Sequence, residues 1–288
     1  MEKENRLPQV YQEMLGGRGY VIETWVTTDL IRKIARSFGL HTEFRPKVGF
    51  SAIAEIALDK IALPVLAERY GMDLSDILNN YKEKGIRYIA DKIYRSRNDV
   101  LKEIFSILKE RLLGGFEESN GVSLGGHTLE KDGLLASVVI AEIAAYAKSQ
   151  NTTIYELLNR IYLKYGYYAT ENVPLKLNEL TGNMQKNQIL KSLRDKMIKT
   201  NGNHRERDVL GIAHSEIIES RSGAELTNMD EEGYKFSLST NDWFISRPSG
   251  TEPKIRFYGQ IKISASSLTP DNIEQEKRLA DKRVGKLV

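Results

Sequence analysis

Apolar residues along this chain recur at two different spacings, and the changes of spacing mark its elements. Tyr20 to Val26 is a run of β-branched and aromatic residues, the composition of a strand; Thr28-Asp29 then caps a helix that runs through Ser37 and stops at Gly39. That pair is a β-α unit. Further on, Ile86, Ile89, Ala90 and Ile93 form one helical stripe, and Leu101, Ile104, Phe105, Leu108 and Leu112, behind an Asn98-Asp99 cap, form another. Leu134 to Ala147 is apolar almost all round and reads as a buried helix, broken at Ser149-Gln150-Asn151. Thr153-Ile154-Tyr155-Glu156 is a capping box for the next helix, which shows Leu157, Leu158, Ile161 and Tyr162 on one face and closes at Gly166. Its tyrosines read as core packing. Glu171 to Asn183 is polar, contains Pro and Gly, and reads as a linker. Beyond it a short helix from Gln188 through Met197 leads into Ile212 to Ser220, Tyr234 to Leu238, Trp243 to Ser246 and Ile255 to Tyr258, with a last helix over Asn272 to Val284. That order predicts a small antiparallel sheet with helices on one face.

Composition narrows the class. At 288 residues the chain has room for about two domains, and 41% hydrophobic with 28% charged residues suits globular cores. There is no cysteine, which excludes disulfides and thiolate metal sites and gives a cytoplasmic expectation. The four histidines, His41, His127, His204 and His214, lack ligand-like spacing, so no metal site is expected from them. The charged N-terminus is no secretory signal, and the apolar runs around Ile53 to Leu66 and Val138 to Ala147 fall short of the roughly 20 residues a bilayer needs. A net charge of +3, from 42 basic and 39 acidic residues, gives no case for nucleic acid. Gly16-Gly17-Arg18-Gly19 precedes its strand instead of following it, so it reads as a turn and not a nucleotide fingerprint.

The chemistry is concentrated in Arg247-Pro248-Ser249-Gly250-Thr251-Glu252-Pro253-Lys254-Ile255-Arg256-Phe257-Tyr258. Arg247 and Arg256 each offer a planar fork to phosphate oxygens, the Ser249 and Thr251 hydroxyls add short donors, and Gly250 lets its neighbouring amides approach closely. This string resembles the phosphate-binding loop in the fourth domain of the phosphohexomutases, the phosphoglucomutase/phosphomannomutase family. A second stretch, Gly115-Phe116-Glu117-Glu118-Ser119-Asn120-Gly121 through His127 to Lys131-Asp132-Gly133, is similar to the sugar-recognition loop of that family's third domain, and Val21 to Leu30 looks like the strand and helix start that open it. The family's phosphoserine loop (T-A-S-H-N-P type) and metal loop (D-G-D-x-D-R type) do not occur in the sequence. The chain therefore reads as the C-terminal half of such an enzyme. The resemblance implies an α/β mixed-sheet domain over residues 1–172, with a helical insertion over about 54–113, then an α+β, TATA-binding-protein-like domain over 183–288.

It also implies roles. Glu117, Glu118 and Ser119 would bind the sugar, Arg247, Ser249, Gly250, Thr251 and Arg256 the phosphate, and Lys131 and His127 would lie near the transferring group; Asp132 and Gly133 would start a helix. The implied reaction moves a phosphoryl group between the 1- and 6-positions of a hexose, with Mg²⁺ in the complete enzyme and a separate chain carrying domains 1 and 2 as the expected partner. A stand-alone phosphosugar-binding or assembly module without mutase activity is the alternative. Relatives place a Lys in a G-F-K-Y-I-type segment. Gly49-Phe50-Ser51-Ala52-Ile53 matches it with Ser51 in the Lys position, and Gly85-Ile86-Arg87-Tyr88-Ile89 offers Arg87 instead. The insertion's apolar stripes require a partner surface, either this domain or a second copy, while Lys82, Arg87, Lys92, Arg95 and Arg97 form a basic face that could meet a partner or nucleic acid.

Overall fold

A computed structural model describes residues 19–45, 48–178, 181–200, 217–222, 233–238, 240–249 and 252–288. The chain forms two compact units, one of residues 1–27 and 31–150, the other of 28–30 and 151–288.

The first unit is built on a four-stranded mixed sheet. β1 (Tyr20–Thr24) lies between β2 (His41–Arg45) and β3 (Leu112–Phe116), parallel to both, and β4 (Val122–Leu124) runs antiparallel to β3. α1 (Asp29–Ser37) makes the crossover from β1 to β2, as parallel neighbours require. Between β2 and β3 the chain is helical: α2 (Phe50–Ile56), a π-helical turn at Ala57–Ala62 and α3 (Leu63–Tyr70) follow without a break, then α4 (Leu74–Lys84), α5 (Ile86–Lys92) and α6 (Arg97–Arg111). Their apolar stripes close on the sheet. Ile22 of β1 shares one buried cluster with Ile53, Ile61, Leu66, Ile89, Ile104 and Leu108, so the insertion packs onto its own domain. Ser96, not Asn98 or Asp99, caps α6, its side chain accepting the Asp99 amide.

The basic face of the insertion is largely tied to acids. Glu103 on α6 receives Arg69 at 2.6 Å, Arg95 at 2.9 Å and the Tyr70 hydroxyl at 2.7 Å, while Lys92 lies 3.4 Å from Asp76. Burial alone would raise the Glu103 carboxyl, but the Tyr70 hydroxyl and the two arginines hold it below its ordinary 4.5. A depressed carboxyl contributes stability above its unfolded pKa and loses it as pH falls. Glu103→Gln should therefore cost about 1–2 kcal/mol at pH 7 and much less at pH 3, read as urea midpoints. A gap of the same size at both pH values would contradict this account.

The second unit carries a five-stranded antiparallel sheet in the order β5 (Tyr167–Lys176), β9 (Lys254–Ile263), β8 (Trp243–Pro248), β7 (Tyr234–Leu238), β6 (Ile217–Ser222). The first part of the stretch read as a linker, Glu171 to Lys176, is edge strand: β5 pairs with β9 from Tyr167 to Lys176, and Pro174 is tolerated because an edge strand needs donors on one side only. α8 (Ile154–Tyr165) opens with the complete Thr153/Glu156 capping box. α9 is longer than expected, Gly182–Thr200, and α10 (Ile273–Leu287) lies on β5 and β9 around Ala280 and Val284. The tyrosines of α8 do more than fill space, since Lys277 of α10 sits 4.4 Å from the Tyr155 ring centroid and 5.6 Å from that of Tyr162, and donates to the Tyr155 hydroxyl. The expected strand over Ile212 to Ser220 begins at Ile217, with residues 212–216 outside the described residues.

One expectation fails outright. α7 (Gly133–Ser149) forms where its apolar run predicts a helix, but it is mostly exposed: Leu134 is 85% accessible, Val138 57% and Tyr146 59%. Uniform apolarity sets the helix and its need for cover, not what covers it. Among the described residues, no helix is long and apolar enough to cross a membrane.

Candidate functional site

β3 delivers Phe116 to the end of the first sheet, and the chain then folds back on itself, the Glu117 amide donating to the Gly121 carbonyl at 2.9 Å. Asn120, at φ 63°, makes the reversal, a conformation asparagine adopts more readily than most residues. Glu117 is 9% exposed, and its carboxylate is held by Lys131 Nζ at 2.8 Å and by the Ser119 hydroxyl, which donates to it at 3.1 Å. Gly121 makes this grouping possible. A Cβ there would stand 2.7 Å from Glu117 Oε2 and 3.0 Å from both Lys131 Cε and Phe50 Cε2, so a side chain at this position would push the Glu117 and Lys131 tips out of the grouping. The hydrogen bond and charge of Glu117 push the Lys131 ammonium upward, fixing it as a cation.

Glu118 faces elsewhere, its Oε2 3.4 Å from the Thr24 hydroxyl. His127 is held at both ring nitrogens, Nδ1 2.8 Å from the Leu124 carbonyl and Nε2 2.6 Å from Asp132 Oδ2. The other Asp132 oxygen accepts the Leu134 and Leu135 amides, which makes Asp132 the cap of α7; these amides, with His127, hold its carboxyl below the ordinary 3.8. The two basic residues named from sequence are thus positioned by different carboxylates, Lys131 by Glu117 and His127 by Asp132. Of the two candidates for the family's Lys, Ser51 lies beside this group: a Cβ on Gly49 would be 3.7 Å from Ser51 Oγ and 3.9 Å from Glu117 Oε1. Arg87 sits on α5 with its side chain 70% exposed, 3.8 Å from Asp91.

A contact that the sequence did not suggest fixes the far side of the loop. Gly126, at φ 63°, packs so closely on α6 that a Cβ would lie 2.3 Å from the Leu108 carbonyl oxygen. The only hint was the Gly125-Gly126 pair itself.

In the second unit, Arg247 on β8 and Arg256 on β9 are directly opposed. Like charges opposite each other in a sheet repel, and an anion between them removes the penalty. The turn that joins the two strands is closed by the Ser249 amide donating to the Lys254 carbonyl at 2.9 Å and the Glu252 amide donating to the Ser249 hydroxyl at 3.2 Å. Gly250 and Thr251 lie outside the described residues. Lys186 of α9, which no motif marked, reaches the same turn, its Nζ 3.4 Å from the Ser249 carbonyl. Among the described residues no three His, Cys, Asp or Glu side chains converge in a way that could hold a metal ion.

Residues 85–165 match the family model for phosphoglucomutase/phosphomannomutase, alpha/beta/alpha domain III. The chain is 27% identical to a phosphopentomutase of Mus musculus over 57% of its own length and 27% of the relative's, and 27% identical to a glucose 1,6-bisphosphate synthase of Homo sapiens over 76% and 34%. A phosphomannomutase of Mycoplasma genitalium is 26% identical over 83% of this chain and 32% of that protein. Among solved structures, the open form of the Paramecium phosphoprotein pp63/parafusin, a phosphoglucomutase, covers 97% of this chain and 42% of its own, with a TM-score of 0.50 at 14% identity, a likeness of fold. Residues 85–165 thus carry the match to that family's third domain, and the chain as a whole is similar to phosphohexomutases. It spans about a third of the length of these curated relatives.

Proposed function

We propose that this chain supplies the third and fourth domains of a phosphohexomutase, the first unit carrying sugar recognition and the second, a TATA-binding-protein-like layer, carrying phosphate recognition. The observation that supports this most is the Glu117–Lys131–Ser119 group gathered over Gly121. A carboxylate accepts hydroxyls whichever end of a hexose faces it, and a serine hydroxyl both donates and accepts, so such a pair tolerates a sugar bound in either direction. That tolerance is what interconversion of hexose 1-phosphate and hexose 6-phosphate demands. Lys131 supplies fixed positive charge for the phosphoryl oxygens, and the Arg247/Arg256 pair holds the phosphate that is not transferred. The phosphoserine and the Mg²⁺ site belong to domains 1 and 2, on a separate chain or elsewhere in a longer polypeptide. Mg²⁺ there would neutralise charge on the transferring group.

Reconstitution is the test. The 288-residue chain alone should not interconvert glucose 1-phosphate and glucose 6-phosphate in a coupled assay primed with a sugar bisphosphate, and adding the two missing domains should produce turnover. Inactivity towards every hexose phosphate after verified complex formation would refute the mutase assignment.

A further inference from the structure

The sheet of the first unit changes direction between β1 and β3. From β1 the chain crosses to β2 on one side and then returns to β3 on the other, so the turns that leave these two parallel neighbours open side by side at their carboxyl ends, the place where open α/β sheets bind ligands. The ladder itself stops there, with Glu23 beside Phe116 as its last pair. Beyond it the chain turns, the Thr27 amide donating to the Thr24 carbonyl at 3.1 Å, and this turn brings the two threonine hydroxyls to 2.9 Å from each other. Both threonines are buried.

Each hydroxyl reaches the loop that carries Glu117. Thr27 Oγ1 lies 3.3 Å from the Phe116 carbonyl oxygen, the last one before Glu117, and Thr24 Oγ1 lies 3.4 Å from Glu118 Oε2. A hydroxyl has one proton to give, and a carbonyl or a carboxylate only accepts, so the pair has two protons for three contacts. The shorter contact between the hydroxyls takes one. The other goes either from Thr27 to Phe116 or from Thr24 to Glu118, never to both. Removing either hydroxyl therefore releases the survivor to its own loop contact, and the two losses differ in kind. Without the Thr24 hydroxyl, Thr27 donates to the Phe116 carbonyl all the time. Without the Thr27 hydroxyl, the carbonyl that leads into Glu117 loses this donor from the β1 turn.

We propose that Thr27 is a positioning residue for sugar recognition, its hydroxyl holding the Phe116 carbonyl so that Glu117, the next residue, stands where Lys131 and Ser119 meet it, while Thr24 directs the second proton. The proposal rests on the reading of Glu117 as a sugar-binding residue. The test is titration calorimetry of the full chain with glucose 6-phosphate and with inorganic phosphate, comparing wild type with Thr27→Val, Thr27→Ser, Thr24→Val and Glu117→Ala. Thr27→Val should weaken glucose 6-phosphate about fivefold to tenfold and leave inorganic phosphate unchanged, Thr27→Ser should recover most of the loss, and Thr24→Val should lose at most about threefold. A merely structural threonine would lower the urea midpoint of Thr27→Val without separating the two ligands. If Thr27→Val does not fold, Thr27→Ala carries the same comparison. Glucose 6-phosphate binding by Thr27→Val at the wild-type level with Glu117→Ala impaired, equal loss of both ligands, or no recovery in Thr27→Ser would overturn the role of Thr27 alone. Wild type that binds no glucose 6-phosphate, or Glu117→Ala that binds it as wild type does, would overturn the reading of Glu117 and this proposal with it.

Discussion

Gly126→Ala should destabilise the first unit by about 3–5 kcal/mol, while the same change at Gly125 should cost only about 1–2 kcal/mol. Both glycines have left-handed backbones, φ 71° at Gly125 and 63° at Gly126, so alanine pays a similar conformational penalty at each. They differ in what the new methyl meets. At Gly125 nothing lies within 4 Å, whereas at Gly126 the Leu108 carbonyl oxygen and carbon would be 2.3 and 2.5 Å away, and helix backbone cannot step aside as a side chain can. Urea midpoints of the two variants measure the difference. Equal losses would mean that the loop does not rest on α6 in solution.

Arg247→Ala should weaken phosphate and phosphosugars alike by tenfold to a hundredfold, the effect of losing a charge-assisted bond of about 1.5–3 kcal/mol. Glu117→Ala should divide the two ligands. In the proposed role the carboxylate would accept sugar hydroxyls and repel anions, so its loss should weaken glucose 6-phosphate while leaving inorganic phosphate unchanged. Calorimetry of both variants against both ligands decides the matter; parallel losses for both ligands in both variants would show that sugar and phosphate recognition are not divided between the two loops.

Local signals in the sequence were reliable where one short segment sets its own structure. The Thr153/Glu156 capping box forms both of its hydrogen bonds, Asp132 starts α7 as its side-chain chemistry dictates, and α1 ends where Gly39 turns left-handed. β5 escaped notice because it is an edge strand: Tyr168 and Ala169 are buried, but from Thr170 to Lys176 every residue is exposed, leaving no alternation to read. The two loops were legible as chemistry, but the pairings inside them were not. That Lys131 answers to Glu117 and His127 to Asp132 depends on how the chain returns between β4 and α7, and Lys186 meets Ser249 across 63 positions. No spacing rule reaches that far.

The segment from 54 to 113 has the look of an accessory, a block of helices spliced between two strands of an older sheet. Its core says otherwise. Ile61, Leu66, Ile89, Ile104 and Leu108 of the block share a buried cluster with Ile22 of β1, and its last helix is the floor beneath Gly126. Evolution could not discard such a block, nor an engineer excise it at its base, without loosening the loop that carries Glu117. The places to trim or to splice in a tag are instead its outer turns, Gly71 and Gly85, which have open space around them.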